Sequence, residues 1–294
     1  MKRIDMTNGD LNKKILQFST PLFLASLMQN LYNIVNRIWI GKYCGEAELS
    51  AVSSIFPVMF LILALSMGMS IGTTVLVSQN TGADNHNGVI KTIDTSIVIS
   101  VILSLMMTAL GLAFYQYILH FMGVLPGIYE YSKIYMNIIL PGTPFVFFSA
   151  TIAAVLRGIG NSKSPMVYMV VSTVINIVLD PILITGIGIF PPMGVSGAAI
   201  ATVFSQGVVF VLSLMKILQA RKNYDDHKRV HYCPNFVGLI LRLGVPSTLQ
   251  QGLISISTMV VFSFINSFHD ENIVAAFSAG SSFDAMAFLP AMSI

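Results

Sequence analysis

An all-α, polytopic membrane protein is the fold class this sequence predicts: a six-helix N-terminal bundle followed by the first two helices of a second, repeated bundle. Three observations carry that prediction. Of 294 residues, 54% are apolar and only 10% are charged, whereas a soluble protein of this length would expose far more charge. The apolar residues gather into eight runs, about 15–40, 49–77, 92–115, 134–156, 165–189, 195–218, 237–267 and 273–294, and each reaches the ~20 residues that cross a bilayer. The start of the seventh run also restates the first: Ile15 and Leu16 match Ile240 and Leu241, Pro21 matches Pro246 and Ala51 matches Ala276, always 225 positions apart. Six spans per repeat is an even number, so the two bundles are parallel copies.

The loops orient the spans. With the N-terminus cytoplasmic, thirteen basic residues fall inside: Lys2, Arg3, Lys13, Lys14, Lys91, Arg157, Lys163, Lys216, Arg221, Lys222, Lys228, Arg229 and Arg242; only Arg37, Lys42 and Lys133 fall outside. That asymmetry is the positive-inside bias, and it predicts a multi-pass protein of the cell (inner or plasma) membrane. The net charge of +3 therefore reports topology and carries no sign of a nucleic-acid partner. The start, MKRIDMTNGDLNKK, is polar and shows no cleavable signal peptide. Cys44 and Cys233 fall on opposite sides, so no disulfide is expected.

In the first span, Gln29, Tyr32, Asn33 and Asn36 follow the i, i+3, i+4, i+7 spacing of one helical face. In lipid such a stripe turns inward, either to glue helices together or to line a cavity. Pro21 lies in the same span and marks it as a candidate moving part. The second span holds Gly68, Ser70 and Gly72. A hydrolase elbow would need a strand and a sharp turn there, so a close helix contact of the GxxxG type is the reading. Asp94 opens the third span near the cytoplasmic edge, where solvation or pairing with Lys91 is expected. The RGIGNSKS loop, 157–164, lacks the spacing and the preceding strand of a nucleotide-binding loop.

The fifth span carries the most informative stretch, TVINIVLDP, which sets Asn176 and Asp180 inside an apolar run. A carboxylate at the centre of a membrane helix costs about 2.5–3.5 kcal/mol, which makes it a functional-site candidate; a structural acid paired to a neighbouring helix or lying near the interface is the alternative. Thr173, Asn176 and Asp180 share one helical face, and Pro181 frees a carbonyl beside the acid. Counted from Ile15 and Pro165, Asn36 and Asp180 lie roughly 31 and 22 Å up their helices, both in the outer half of the membrane, where they could line one cavity. In the sixth span Gly197, Ala198, Ala199 and Ala201 offer a small-residue packing face, while Thr202 and Gln206 are candidates to reach the cavity.

The polar stretch RKNYDDHKRVHYCPN separates the two bundles. It divides the chain into an N-terminal lobe (1–218), a cytoplasmic linker (219–236) and the start of a C-terminal lobe (237–294). The chain stops at LPAMSI within an apolar run, so the sequence reads as a fragment or truncated product of a twelve-helix protein.

Taken in order, PLFLASLMQNLYNIVNRIWIG, ELSAVSSIFPV, NIVLDPILI, GVSGAAIATVFSQ and GVPSTLQQ resemble the multidrug and toxic compound extrusion (MATE) transporters over essentially the whole chain. The resemblance implies twelve helices in two six-helix lobes, alternating access, and export of small organic, often cationic, compounds driven by Na⁺ or H⁺ as the coupling ion, with no other cofactor and no enzymatic activity. It implies that Asp180, Asn176 and the position of Asn36 serve cation or proton coupling, with Asp180 and Asn176 as the candidate Na⁺ ligands. Gln29, Tyr32, Asn33 and Thr202 are the substrate-cavity candidates, and Asp284 in the eighth span is a candidate second-lobe coupling group. Many relatives carry aspartate where this chain has Asn36. An amide neither takes up a proton nor offers a cation more than a neutral oxygen, which leaves coupling in the first lobe mainly to Asp180.

A monomer in the bilayer is expected. The rival readings are a lipid-linked sugar flippase of the same superfamily, whose cavity would need more inward basic groups than Arg37, and a non-transporting membrane sensor or assembly subunit. The seventeen methionines suit an adaptable cavity and suit plain packing equally well.

Overall fold

The computed structural model describes residues 10–121, 126–188, 190–222 and 232–266. They form seven helices, α1 (Leu11–Tyr43), α2 (Glu46–Gly82), α3 (His86–Phe121), α4 (Pro126–Gly158), α5 (Lys163–Thr185), α6 (Val195–Lys222) and α7 (Pro234–Asn266), and no strand among the described residues. These are the first seven predicted spans; the eighth, with Asp284, lies outside the described residues. Stretches of α2 to α6 are long and apolar enough to cross a membrane.

The helix ends follow local chemistry. The Asp10 carboxylate caps α1 by accepting the amides of Asn12 and Lys13 at 3.1 and 3.4 Å, a cap worth about 1 kcal/mol. Pro126 and Pro234 take the first positions of α4 and α7, where a missing N–H costs nothing. Asn161 Oδ1 accepts the Ser164 amide at the start of α5, and Gly186 closes it at φ +75°, a left-handed geometry that glycine adopts without strain. Within α4, Pro144 leaves the Leu140 carbonyl without its helical donor, and the Thr108 hydroxyl of α3 donates to it at 3.3 Å.

Packing runs in a chain: α1 lies on α5, α5 on α6, α6 on α4, α4 on α2, with α3 against α4 and α2. Helices α2 and α4 run side by side in the same direction. Ser132 donates to the Ala51 carbonyl near one end, and Thr74 donates to the Ala154 carbonyl near the other. Between α2, α3, α4 and α6 lie two apolar clusters, one around Ile55, Leu119, Met136, Leu140 and Phe147 and the other around Val77, Ile93, Ile152, Val155 and Ile217.

Gly68 and Gly72 do make a close helix contact, and it is with α7, the helix the sequence assigns to a second bundle. A Cβ on Gly72 would stand 2.6 Å from the Ile240 carbonyl oxygen, and one on Gly68 would stand 2.7 Å from that of Gly244. Asp94 is not solvated. It is 2% exposed, because α3 is covered at that depth by α2, where Thr73 donates to Ser96, and by the entry to α7, where the Cys233 amide donates to Thr95. Cys44 and Cys233 are free thiols.

Candidate functional site

Helix α5 sorts its residues by face. Val174 and Val178 point outward, 56% and 53% exposed, while Thr173, Asn176 and Asp180 are buried, Asp180 completely. The i, i+3, i+7 spacing that groups these three polar residues in sequence is the face that α1 and α6 cover. Asn176 Nδ2 donates to Asp180 Oδ1 at 3.2 Å. Three oxygens on this face have no hydrogen-bond partner among the described residues: Asp180 Oδ2, Asn176 Oδ1 and Thr173 Oγ1. Buried acceptors are nearly always satisfied, and leaving one bare costs about 1–3 kcal/mol. A bare carboxylate oxygen one helical turn from an amide oxygen is the donor chemistry that a proton or a hard monovalent cation takes up, with Thr173 two turns from the acid.

The facing wall comes from α1 and α6. The Tyr32 and Thr202 hydroxyls meet at 3.1 Å, and Asn36 is buried one turn further along α1. Ile40 of α1 packs with Ile184 of α5 and Ala198 of α6. Going up α1 from Tyr32 to Ile40 thus means going down the numbering of α6 from Thr202 to Ala198. Helix α1 therefore runs against α6 and with α5. Asn36 and Asp180 each lie four residues before the Ile40 and Ile184 contact, which puts them at one depth.

Gln29 and Asn33, which share the α1 stripe, are exposed, and Gln206 is half-buried. Sequence reasoning missed Tyr135 of α4. It is buried and is an electrostatic neighbour of both Tyr32 and Asp180. An aromatic residue in an apolar run carries no signal that separates it from ordinary core. It also missed Glu48, whose carboxylate accepts the backbone amide of Val195 at the start of α6. Among the described residues no group of three or more His, Cys, Asp or Glu side chains converges; the site is one acid among amides and hydroxyls.

Comparison with known proteins finds relatives along the whole chain. The family profile named MatE matches residues 21–182. The chain is 33% identical over 282 residues to the "Probable multidrug resistance protein YoeA" of Bacillus subtilis, covering 94% of this chain and 60% of the relative. It is 30% identical to the "Probable multidrug resistance protein YpnP" of the same organism, over 100% of this chain and 64% of the relative. Among solved structures, a MOP superfamily transporter from Pyrococcus furiosus superimposes with a TM-score of 0.90 at 30% identity, covering 100% of this chain and 64% of that one. A multidrug resistance MATE family transporter in an outward-facing conformation gives the same figures. The chain thus spans less than two thirds of the length of these relatives.

Proposed function

The chain belongs to the MatE family of membrane transporters, and from that premise we propose that it works as a secondary active antiporter, exporting organic, cationic compounds in exchange for Na⁺ or H⁺. Members of this family are transporters and not enzymes. One observation carries the proposal: the fully buried Asp180, held at one oxygen by Asn176, keeps its other oxygen without a partner among the described residues. A purely structural buried acid would have both oxygens satisfied.

In this reading Asp180 is the coupling group, Asn176 the neutral oxygen beside it, and Asn36 the neutral partner across the cavity. A buried carboxylate is stable only when neutralised, so a proton, Na⁺ and a cationic substrate compete for it. Exchange follows if only the loaded forms change access. Tyr32 and Thr202 form the adjoining wall of the substrate cavity, and Gln29 and Asn33 extend it along the exposed side of α1. Asp284, outside the described residues, is the proposed coupling acid of the second lobe. The basic residues of the loops favour a cytoplasmic N-terminus, and the protein is taken to act as a monomer.

The test is flux. The protein is reconstituted into vesicles carrying a Na⁺ or a pH gradient, and uptake of a fluorescent organic cation, ethidium, is followed for wild type and Asp180→Asn. The neutral variant is expected to lose at least about tenfold in gradient-driven exchange, the order of a lost charge–cation contact. Unchanged exchange in Asp180→Asn would remove Asp180 from the mechanism.

A further inference from the structure

Glu48 sits in the first turn of α2, outside the stripe, the buried acid and the cavity wall, yet it ties three helices together. We propose that Glu48 is a positioning residue that fixes the depth of α6 against α5 and thereby holds Thr202 at Tyr32 beside the coupling acid; this rests on the antiporter reading above.

Glu48 Oε2 accepts the Val195 amide at 2.7 Å across 147 residues of sequence. Val195 is the first residue of α6, and a carboxylate there satisfies an amide the helix leaves open and complements the positive end of its dipole. The approach depends on the residue before it. Gly194 has φ +53°, and a Cβ on it would stand 3.0 and 3.2 Å from the two Glu48 oxygens. From the other side, the turn between α5 and α6 folds back onto α5. The amides of Met193 and Gly194 donate to the carbonyls of Leu183 and Ile184. Gly197 presses so close that a Cβ would lie 2.6 Å from the Leu183 carbonyl oxygen. The Cys44 thiol, at the end of α1, also faces Glu48; burial first and then the neighbouring carboxylate push it up to about 12, so it remains a neutral donor toward Glu48.

The lever arm is short. Thr202 lies seven residues beyond Val195, two turns along the same face or roughly 10 Å, and Asp180 lies three residues before Leu183. A shift of α6 along its axis at the clasp therefore moves Thr202 by the same amount relative to Tyr32 and to Asp180. No other described side chain from α2 reaches the α6 start by a hydrogen bond.

Three proteins test this: wild type, Glu48→Ala and Glu48→Gln, the last keeping a carbonyl oxygen to accept the Val195 amide. In the vesicle assay Glu48→Ala is expected to raise the half-saturating concentration of the driving cation (Na⁺ or H⁺) at least about fivefold with the maximal rate within about twofold, and Glu48→Gln to stay within about twofold of wild type. Hydrogen–deuterium exchange across 193–202 is expected to accelerate in Glu48→Ala and to match wild type in Glu48→Gln. An unchanged half-saturation in Glu48→Ala, or equal impairment of both variants, overturns the positioning role. If wild type drives no exchange at all, the antiporter reading fails, and the amide-exchange arm still reports whether the clasp exists.

Discussion

The hydroxyl of Tyr32 on α1 meets that of Thr202 on α6 at 3.1 Å, joining residues 170 positions apart. It is the polar tie that spans from the first helix of the chain to the sixth at the level of the buried acid. Both partners are partly buried, so each hydroxyl loses its best partner when the other is removed. Tyr32→Phe and Thr202→Val are each expected to lower stability by about 1 kcal/mol, and the double variant by no more than the larger single loss, a coupling of about 0.5–1.5 kcal/mol. Thermal unfolding of the four proteins in one detergent measures the cycle. Strict additivity would mean that the two hydroxyls do not bond.

Asn36 and Asp180 share a depth but not a charge, and restoring a carboxylate at position 36 exploits that. Asn36→Asp puts a second acid, itself in a buried setting, across from the first. Two like charges in one cavity repel in the empty state and together attract a cation more strongly. The variant is expected to melt lower than wild type in buffer free of Na⁺ and to regain more stability than wild type when Na⁺ is added, because a ligand that binds only the folded state stabilises it in proportion to its affinity. A tightening of about fivefold to tenfold in half-saturating Na⁺ should accompany the shift, about 1–1.4 kcal/mol. Identical Na⁺ responses in the two proteins would show that position 36 does not face the cation.

How much of this was legible beforehand depends on how far each residue looks for its partner. Seven helices follow from apolar run length alone, and Thr173, Asn176 and Asp180 fall on one face because a helix turns 100° per residue. The α1 stripe was only partly readable. Gln29 and Asn36 point in nearly the same direction, two turns apart, yet one is exposed and the other buried; a stripe gives direction, while the neighbour that covers it at each depth is a tertiary matter. Asp94 shows the same gap. Its place near a helix start suggested water, but α2 and the entry to α7 close over it. Glu48 was illegible for a simpler reason: its partner is a backbone amide 147 residues away, and a backbone amide has no sequence signature.

The contact between α2 and α7 yields a prediction in which two chemically identical substitutions have opposite signs. Gly72 and Gly238 are both helical glycines, so alanine at either should gain roughly 0.5–1 kcal/mol from helix propensity if space allows. Space allows it at Gly238, where an added methyl would meet nothing within 4 Å; at Gly72 the methyl would lie 2.6 Å from the Ile240 carbonyl oxygen. That neighbour is backbone, which cannot rotate aside, so α7 must move off α2 as a body. Gly238→Ala is therefore expected to raise the melting temperature slightly, and Gly72→Ala to lower it, overpacking costing about 1–3 kcal/mol against the small propensity gain. The sign matters beyond stability, because α7 is the helix whose sequence matches α1 at an offset of 225. If both variants melt higher than wild type, the α2 to α7 contact yields without loss and does not hold the two helices together; if only Gly238→Ala does, the carbonyl of Ile240 is the surface against which α2 closes.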